Sequence, residues 1–550
     1  MTSKKLSLEN DMKKSESSKN TIGFFSLVRE SLRTDLWLLL LGIVVMFFAY
    51  PVNMGMQMSY CAGRVREAKL EGDTKLAAEF LEDMAVRANR VLTGEYSFLW
   101  IIVFVAAVLC AVGIFGWCYN KNKVDFYNSQ PVTRSRRFWS LYLSGVLIMA
   151  VCLFAGVFSS LVIALIYGVS PVMMKETILV NLGYMAVFLL IYSTAIAAVM
   201  LTGNKMTFFM AYLWICIFAF VLSGIITTFG GIYFKTADIS ADLINNISKL
   251  SPVYWEGEYY NAISRLVYND MFAQRSATTL TEATAALESA VTVIITASAL
   301  ISLTAFAMFK KRDSESAGKA LAFGITRRPL RILFTIIMAL VFCIFGAYIG
   351  IGINADDIFW TLFFLVAGAV LFHGIIELIY TGDIRSVMRD KAELLICIAV
   401  SVLVVGSFRY DVFGYDRYVP EADKVESIEI SSSDFLPDKN ATRRADFYMI
   451  GFSDYDYSDE NIKITGEKDI EAVLEMIKNS NELTGKEENE GYYSRYTFSA
   501  DDFDSYDHFI SFTIKYKSGG SSERRYNIAP EYIREYLAPI LEKPEAKEML

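Results

Sequence analysis

Long apolar runs separated by short basic segments fill the first 410 residues. Nine lie near 36–58, 97–119, 138–167, 177–202, 206–229, 289–309, 332–352, 359–380 and 392–408. A hydrocarbon core of roughly 30 Å takes about 20 residues of helix, so each is a candidate span, the ninth being the shortest. The first run, LWLLLLGIVVMFFAYPVNMGMQM, carries Pro51 and is expected to kink there. Just upstream, Phe24, Val28, Leu32 and Leu36 recur every fourth residue beside Arg29, Glu30, Arg33 and Asp35. That single stripe predicts a helix lying in a membrane interface; the alternative is a lead-in continuous with the first span. Residues 59–96 read as an amphipathic helical hairpin.

The pattern changes after Tyr410. SIEI and DFYMI read as short strands, and EKDIEAVLEMIKN as a helix with Ile470, Val473, Leu474 and Ile477 on one face. HFISFTIKYK alternates as a strand, SGGS supplies a turn, and Pro530 opens a last helix, PEYIREYLAPIL. The predicted fold class is an α-helical polytopic membrane protein of about nine transmembrane helices with a small C-terminal α+β soluble domain. Four segments follow: 1–35, a cytoplasmic N-terminus with the interfacial helix; 36–310, a six-span body; 311–410, three further spans; and 411–550, the soluble domain.

Composition and charge sharpen this division. Of 550 residues, 54% are hydrophobic and 20% charged, and the mean hydropathy is +0.36. A soluble chain, a low-complexity chain and a disulfide scaffold are all excluded. Residues 411–550 hold 31 Asp and Glu against 17 Lys and Arg, whereas residues 1–410 hold 29 against 35. A basic apolar body thus precedes an acidic tail. With the N-terminus inside, the expected inner segments carry 23 Lys and Arg and the expected outer loops 11. Cytoplasmic loops are enriched in these residues, so nine spans place the tail outside the cell membrane. The first twenty residues are polar, and no cleavable signal peptide is expected.

Several chemistries find no support. There is no G-x-x-x-x-G-K-[ST] phosphate loop, no H-E-x-x-H, no G-x-S-x-G and no C-x-x-C, and there are only two histidines. The expected protein is not an enzyme and has no catalytic residue, cofactor, metal site or nucleic-acid partner. Six of the seven cysteines fall within spans, as small hydrophobes would. The acidic clusters DYDYSDE and ADDFDSYDH lack the twelve-position calcium loop and read as solvated loops. The first six spans hold no ionisable residue away from their ends, which argues against a carrier driven by an ion gradient. One intramembrane polar pair stands out: His373 and Glu377 of the eighth span, four residues apart on one helix face. They are expected to form a polar clasp against a neighbouring helix, with Glu377 reaching interfacial water; the alternative is a proton site.

The order of parts over residues 20–310 resembles the permease subunit of type-2 ABC exporters. The loop after the second span reads YNSQPVTRSRRFW. Its Gln130, Pro131, Val132, Thr133 and Arg134 are similar to the family's LPVSR-type motif, with Gln130 for the usual Leu. The resemblance implies an elbow helix at Phe24, Val28 and Leu32. It also implies a coupling helix at this loop that docks on a separate ABC ATPase subunit, with Arg134, Arg136 and Arg137 facing an acidic groove or lipid phosphates. Pro131 suits the first turn of that helix. An ordinary positive-inside loop is the plainer reading. The three added spans and the acidic tail resemble a branch common in Firmicutes that ends in an uncharacterised extracytoplasmic domain. The expected function is therefore the membrane subunit of an ATP-driven exporter. It would work with a second permease copy or paralogue in membrane lipid, and apolar spans favour a lipid-like or amphipathic substrate. The alternative is a non-transporting membrane protein that binds a ligand through its acidic domain.

Overall fold

A computed structural model describes residues 23–94, 98–169, 174–237, 241–271, 277–348, 358–383, 385, 390–430, 462–484 and 508–541. The strand expected at DFYMI and the acidic runs 454–460 and 500–507 lie outside these residues.

Among the described residues, nine apolar helices are long enough to cross a membrane. They are span 1 (Leu36–Leu70), span 2 (Leu99–Tyr119), span 3 (Arg134–Ile166), span 4 (Thr177–Leu201), span 5 (Lys205–Tyr233), span 6 (Thr284–Lys311), span 7 (Gly324–Gly346), span 8 (Ile358–Thr381) and span 9 (Lys391–Arg409). Each expected run is found. Span 1 runs on to Leu70 because Pro51 sits in a π turn, Phe48–Val52, whose wider spacing absorbs the missing donor. By internal packing the chain divides into two units.

The first unit comprises residues 1–219, 249–331 and 375–387. Span 4 is its axis: 78% of its most apolar stretch is buried, against 22–39% for the other spans. Val180, Tyr184, Phe188, Ile191, Tyr192 and Ala195 of this helix are all buried. Asn181 ties it to its neighbours, accepting from Tyr50 Oη at 2.8 Å and donating to Leu92 O at 2.9 Å. Such interhelical bonds hold helices together where apolar surroundings supply no hydrophobic drive.

Helix α1 (Phe24–Thr34) is set off from span 1 by a break at Asp35. It packs on span 3 through Leu27, Val28 and Ser31, with Ser31 Oγ 2.9 Å from Ser144 Oγ. Phe24 and Leu32 are half-buried, and Phe25 is exposed. Helix α2 (Thr74–Leu92) pairs with the end of span 1, with Asp73 capping its N-terminus through the amides of Lys75 and Leu76. The predicted hairpin is therefore present.

Beyond span 5 the chain re-enters the bundle. Ser251 Oγ donates to Cys216 O at 2.6 Å, and Cys216 lies roughly 25 Å of helix before Tyr233. Helix α5 (Pro252–Met271), which follows α4 (Ala241–Ser248), therefore begins near the middle of span 5. By composition alone its aromatic residues, among them Tyr254, Trp255, Tyr259 and Tyr260, would suit a membrane surface. The Tyr259 hydroxyl donates to Val180 O and so holds α5 on span 4 as well.

The second unit comprises residues 220–248, 332–374 and 388–550. Its C-terminal part is a four-stranded antiparallel sheet of β1 (Val425–Ile430), β2 (Ile462–Ile464), β3 (His508–Tyr516) and β4 (Ser521–Ile528), in the order β2-β1-β3-β4. Helix α6 (Glu467–Thr484) buries the predicted Ile470, Val473, Leu474 and Ile477 against Ile428, Ile510, Phe512 and Ile514. A final helical segment opens at Pro530, as predicted.

The sheet does not end at β4. Ala237, just past span 5, bridges Arg524, and Arg525 N donates to Thr236 O at 3.2 Å. The Asp416 carboxylate accepts from Lys235 N, Thr236 N and Thr236 Oγ1 at 3.1, 3.0 and 2.8 Å. Arg524 donates to the carbonyls of Tyr415 and Tyr418 and lies 4.3 Å from the Tyr415 ring centre. Asp416→Ala removes the acceptor from two backbone amides, a loss of about 1–3 kcal/mol. Hydrogen exchange should show Thr236 and Arg525 losing protection while α6 keeps its own. Unchanged protection at Thr236 would show that Asp416 does not hold the sheet to span 5.

Candidate functional site

The basic end of the first unit gathers the loop after span 2, the turn after span 4 and the segment after span 6. Helix α3 (Lys121–Ser129) occupies the first. Asn120 caps it, its side-chain oxygen accepting from the amides of Asn122 and Lys123. Val124 is buried and the Tyr127 ring lies 4.6 Å from that of Trp117, so one face is fixed to span 2. The other face presents Phe126, 61% exposed.

The expected coupling residues fall after this helix. Gln130 adopts an extended backbone before Pro131, as a residue preceding proline favours. Thr133 then caps span 3, accepting from Arg136 N. Pro131 therefore lies in the turn joining α3 to span 3 and not in a first helical turn; the helix lies upstream of the motif. Val132 N closes that turn on Gln130 O at 2.7 Å.

The three arginines have unlike environments. Arg134 Nη1 donates to Lys310 O and Arg312 O at the end of span 6, at 2.7 and 3.2 Å. Arg137 is buried, 3.4 Å from Gln130 Oε1 and 5.7 Å from the Tyr127 ring centre. Arg136 is exposed. Two of the three thus fasten the loop to its own bundle, a long-range pairing that the local motif does not show. Burial raises the Asp35 carboxyl, while the Ser31 hydrogen bond and the Lys123 charge on α3 lower it.

Arg312, not singled out in the sequence, anchors this end. It is buried, and its Nη1 donates to Val199 O and Met200 O at 2.6 and 2.9 Å, while Nη2 donates to Cys118 O at 3.2 Å. The segment beyond it folds over the turn between spans 4 and 5. Ala322 N donates to Leu201 O, Gly203 N to Ala320 O and Gly318 N to Gly203 O. A Cβ on Gly203 would lie 2.3 Å from both Lys319 O and Ser316 O, so only glycine fits there.

The intramembrane pair clasps the neighbouring helix through Glu377, whose carboxylate is held by arginines. His373 and Glu377 are both buried on span 8, but both carboxylate oxygens of Glu377 accept from arginines of span 7. Arg331 Nη1 pairs with Oε2, and Arg327 Nη2 lies 3.2 Å from Oε1. The side chain does not reach interfacial water. Among the described residues, no cluster of His, Cys, Asp or Glu has the arrangement of a metal site. All seven cysteines are buried and none forms a disulfide.

No family model matches the chain, and neither the curated proteins nor the solved structures contain a detectable relative.

Removing Arg312 leaves carbonyls of spans 2 and 4 without a charged donor. Arg312→Ala should cost about 1.5–3 kcal/mol in detergent-solubilised protein, and Arg312→Lys should recover only part, lacking the planar fork. Full recovery by lysine would refute the multiple capping role. Glu377→Gln strands a buried guanidinium and should cost about 3–5 kcal/mol, well above His373→Gln. Equal losses in thermal unfolding would return His373 to the centre of the clasp.

Proposed function

We propose that this chain is the membrane subunit of an ATP-driven exporter, coupled to a separate ABC ATPase through α3. The observation that carries the reading is the construction of the basic end. A nine-residue helix is locked to span 2 by Val124 and Tyr127 and is joined to span 3 by the Pro131 turn. It leaves Phe126 and Arg136 exposed. A force applied to that face is delivered to the ends of spans 2, 3, 4 and 6, because Arg134 and Arg312 connect them. This is what coupling to a motor protein requires, and an ordinary connecting loop does not need it.

In this reading the protein is a multi-pass cell-membrane protein. Its N-terminus and α3 lie in the cytoplasm, and its acidic domain lies outside. A second copy or a paralogue completes the substrate path, and alternating access follows from closure of the ATPase pair. Pro131, Val132 and Thr133 shape the turn, Gln130 and Arg137 brace it, and Arg136 with Phe126 meets the partner. Leu27, Val28 and Ser31 set α1 on span 3 where it flanks this end, with Phe24 and Leu32 half-buried beside them. The chain itself hydrolyses nothing.

The test uses exposed positions that hold nothing else in place. Phe126→Asp combined with Arg136→Glu should abolish co-purification of an ATPase encoded beside this chain, with thermal stability unchanged. An ATPase that stays bound to the double variant, or none bound to the wild-type protein, would overturn the proposal.

A further inference from the structure

Glu256 on α5 is 4% exposed. Its Oε1 has no hydrogen-bond partner among the described residues. The helix around it is clamped. Ser251 bonds to span 5 on one side and Tyr259 to span 4 on the other, while Trp255 Nε1 donates to Lys249 O at 2.8 Å. The bond to Cys216 O sets this stretch near the middle of span 5, within the six-span body. Glu377 faces the same difficulty and resolves it with two arginines; Glu256 has no such partner. A carboxylate buried without a counter-charge gives up its charge by holding a proton.

We infer that Glu256 is a proton-binding site at membrane depth, protonated while α5 lies on spans 4 and 5 and releasing its proton when α5 moves away. The inference does not rest on the exporter reading, since it concerns no ATPase; only the direction of release, outward, depends on the proposed topology. On release the carboxyl O–H bond breaks, its electron pair stays on the carboxylate, and the proton passes to entering water. No other reactant is required. An ionisable group in this position is the feature that the six spans taken alone lack, and such groups within a membrane mark functional sites.

Taken out of water with no counter-charge among the described residues, this carboxyl favours its neutral form. Span 5 faces it with Tyr212 and Cys216, both neutral in their ordinary state. The charged side chains on the surrounding elements are Arg90 on α2, Lys175 beside span 4, Glu288 on span 6, and Glu258 and Arg265 on α5 itself. The packed arrangement therefore binds more protons than the open one over the window between the ordinary carboxyl range and the higher value of the buried group. Its advantage is complete below that window, falls as pH rises through it, and changes no further above.

Two measurements on the full-length protein test this. Infrared spectra should show a protonated-carboxyl band at neutral pH that is lost at alkaline pH and that Glu256→Gln lacks. Hydrogen exchange of α5 amides should quicken relative to Glu256→Gln at each pH. The ratio should grow by up to about tenfold per pH unit within the window, the limit for release of one proton. Should Glu256→Gln fail to fold, isotope-labelled glutamate in the wild-type protein still reports the band. A neutral-pH spectrum without that band, or an exchange ratio that does not vary with pH, would overturn the inference.

Discussion

A helix that ends away from water leaves its last carbonyls without donors, and Arg312 answers this for spans 2 and 4 at once. Its three hydrogen bonds reach carbonyls more than a hundred residues upstream, so the ends of these helices meet at one guanidinium. The rest of the basic end is built around that junction. Arg134 caps span 6 beside it, and the segment after Arg312 closes over the turn at Gly203. α3 rests on the same group of helix ends. Without the junction, α3 would rest on helix ends that nothing holds together.

The same cost governs the buried polar groups, which are handled in three ways. Asn181 spreads its amide between Tyr50 and Leu92, a neutral network with donor and acceptor both used. Glu377 keeps its charge by pairing with arginines, and removing either side would leave an uncompensated ion. Glu256 keeps neither charge nor partner. Only the last of these changes state with little rearrangement of its neighbours, because a proton comes and goes where an arginine cannot.

How much was legible follows from the range of each interaction. The nine spans are local hydropathy, and all were found near their expected residues. The α6 face and the β3–β4 hairpin are likewise periodicities of 3.6 and 2 read within one short window. Arg312 and Arg331 appeared only as charges in positive loops, because their partners lie far away along the chain. Read from the motif alone, Pro131 falls inside a helix, because a short motif does not say which side the helix lies on. Glu256 was hidden for a different reason: WEGEYYN reads as an aromatic surface loop, and only the bond from Ser251 to Cys216 reveals its depth. A window that separates spans from loops cannot register a segment that re-enters.

Span 5 is where these observations meet. Ser251 grips it at Cys216 near its middle, and the strip just past its end extends the C-terminal sheet through Ala237 and holds Asp416. Each grip uses backbone groups of the span or its continuation, which have few other acceptors or donors to choose from in apolar surroundings. Each half of the span therefore carries its own grip: the first half is held from α5 within the first unit, and the second half continues into the sheet of the second unit.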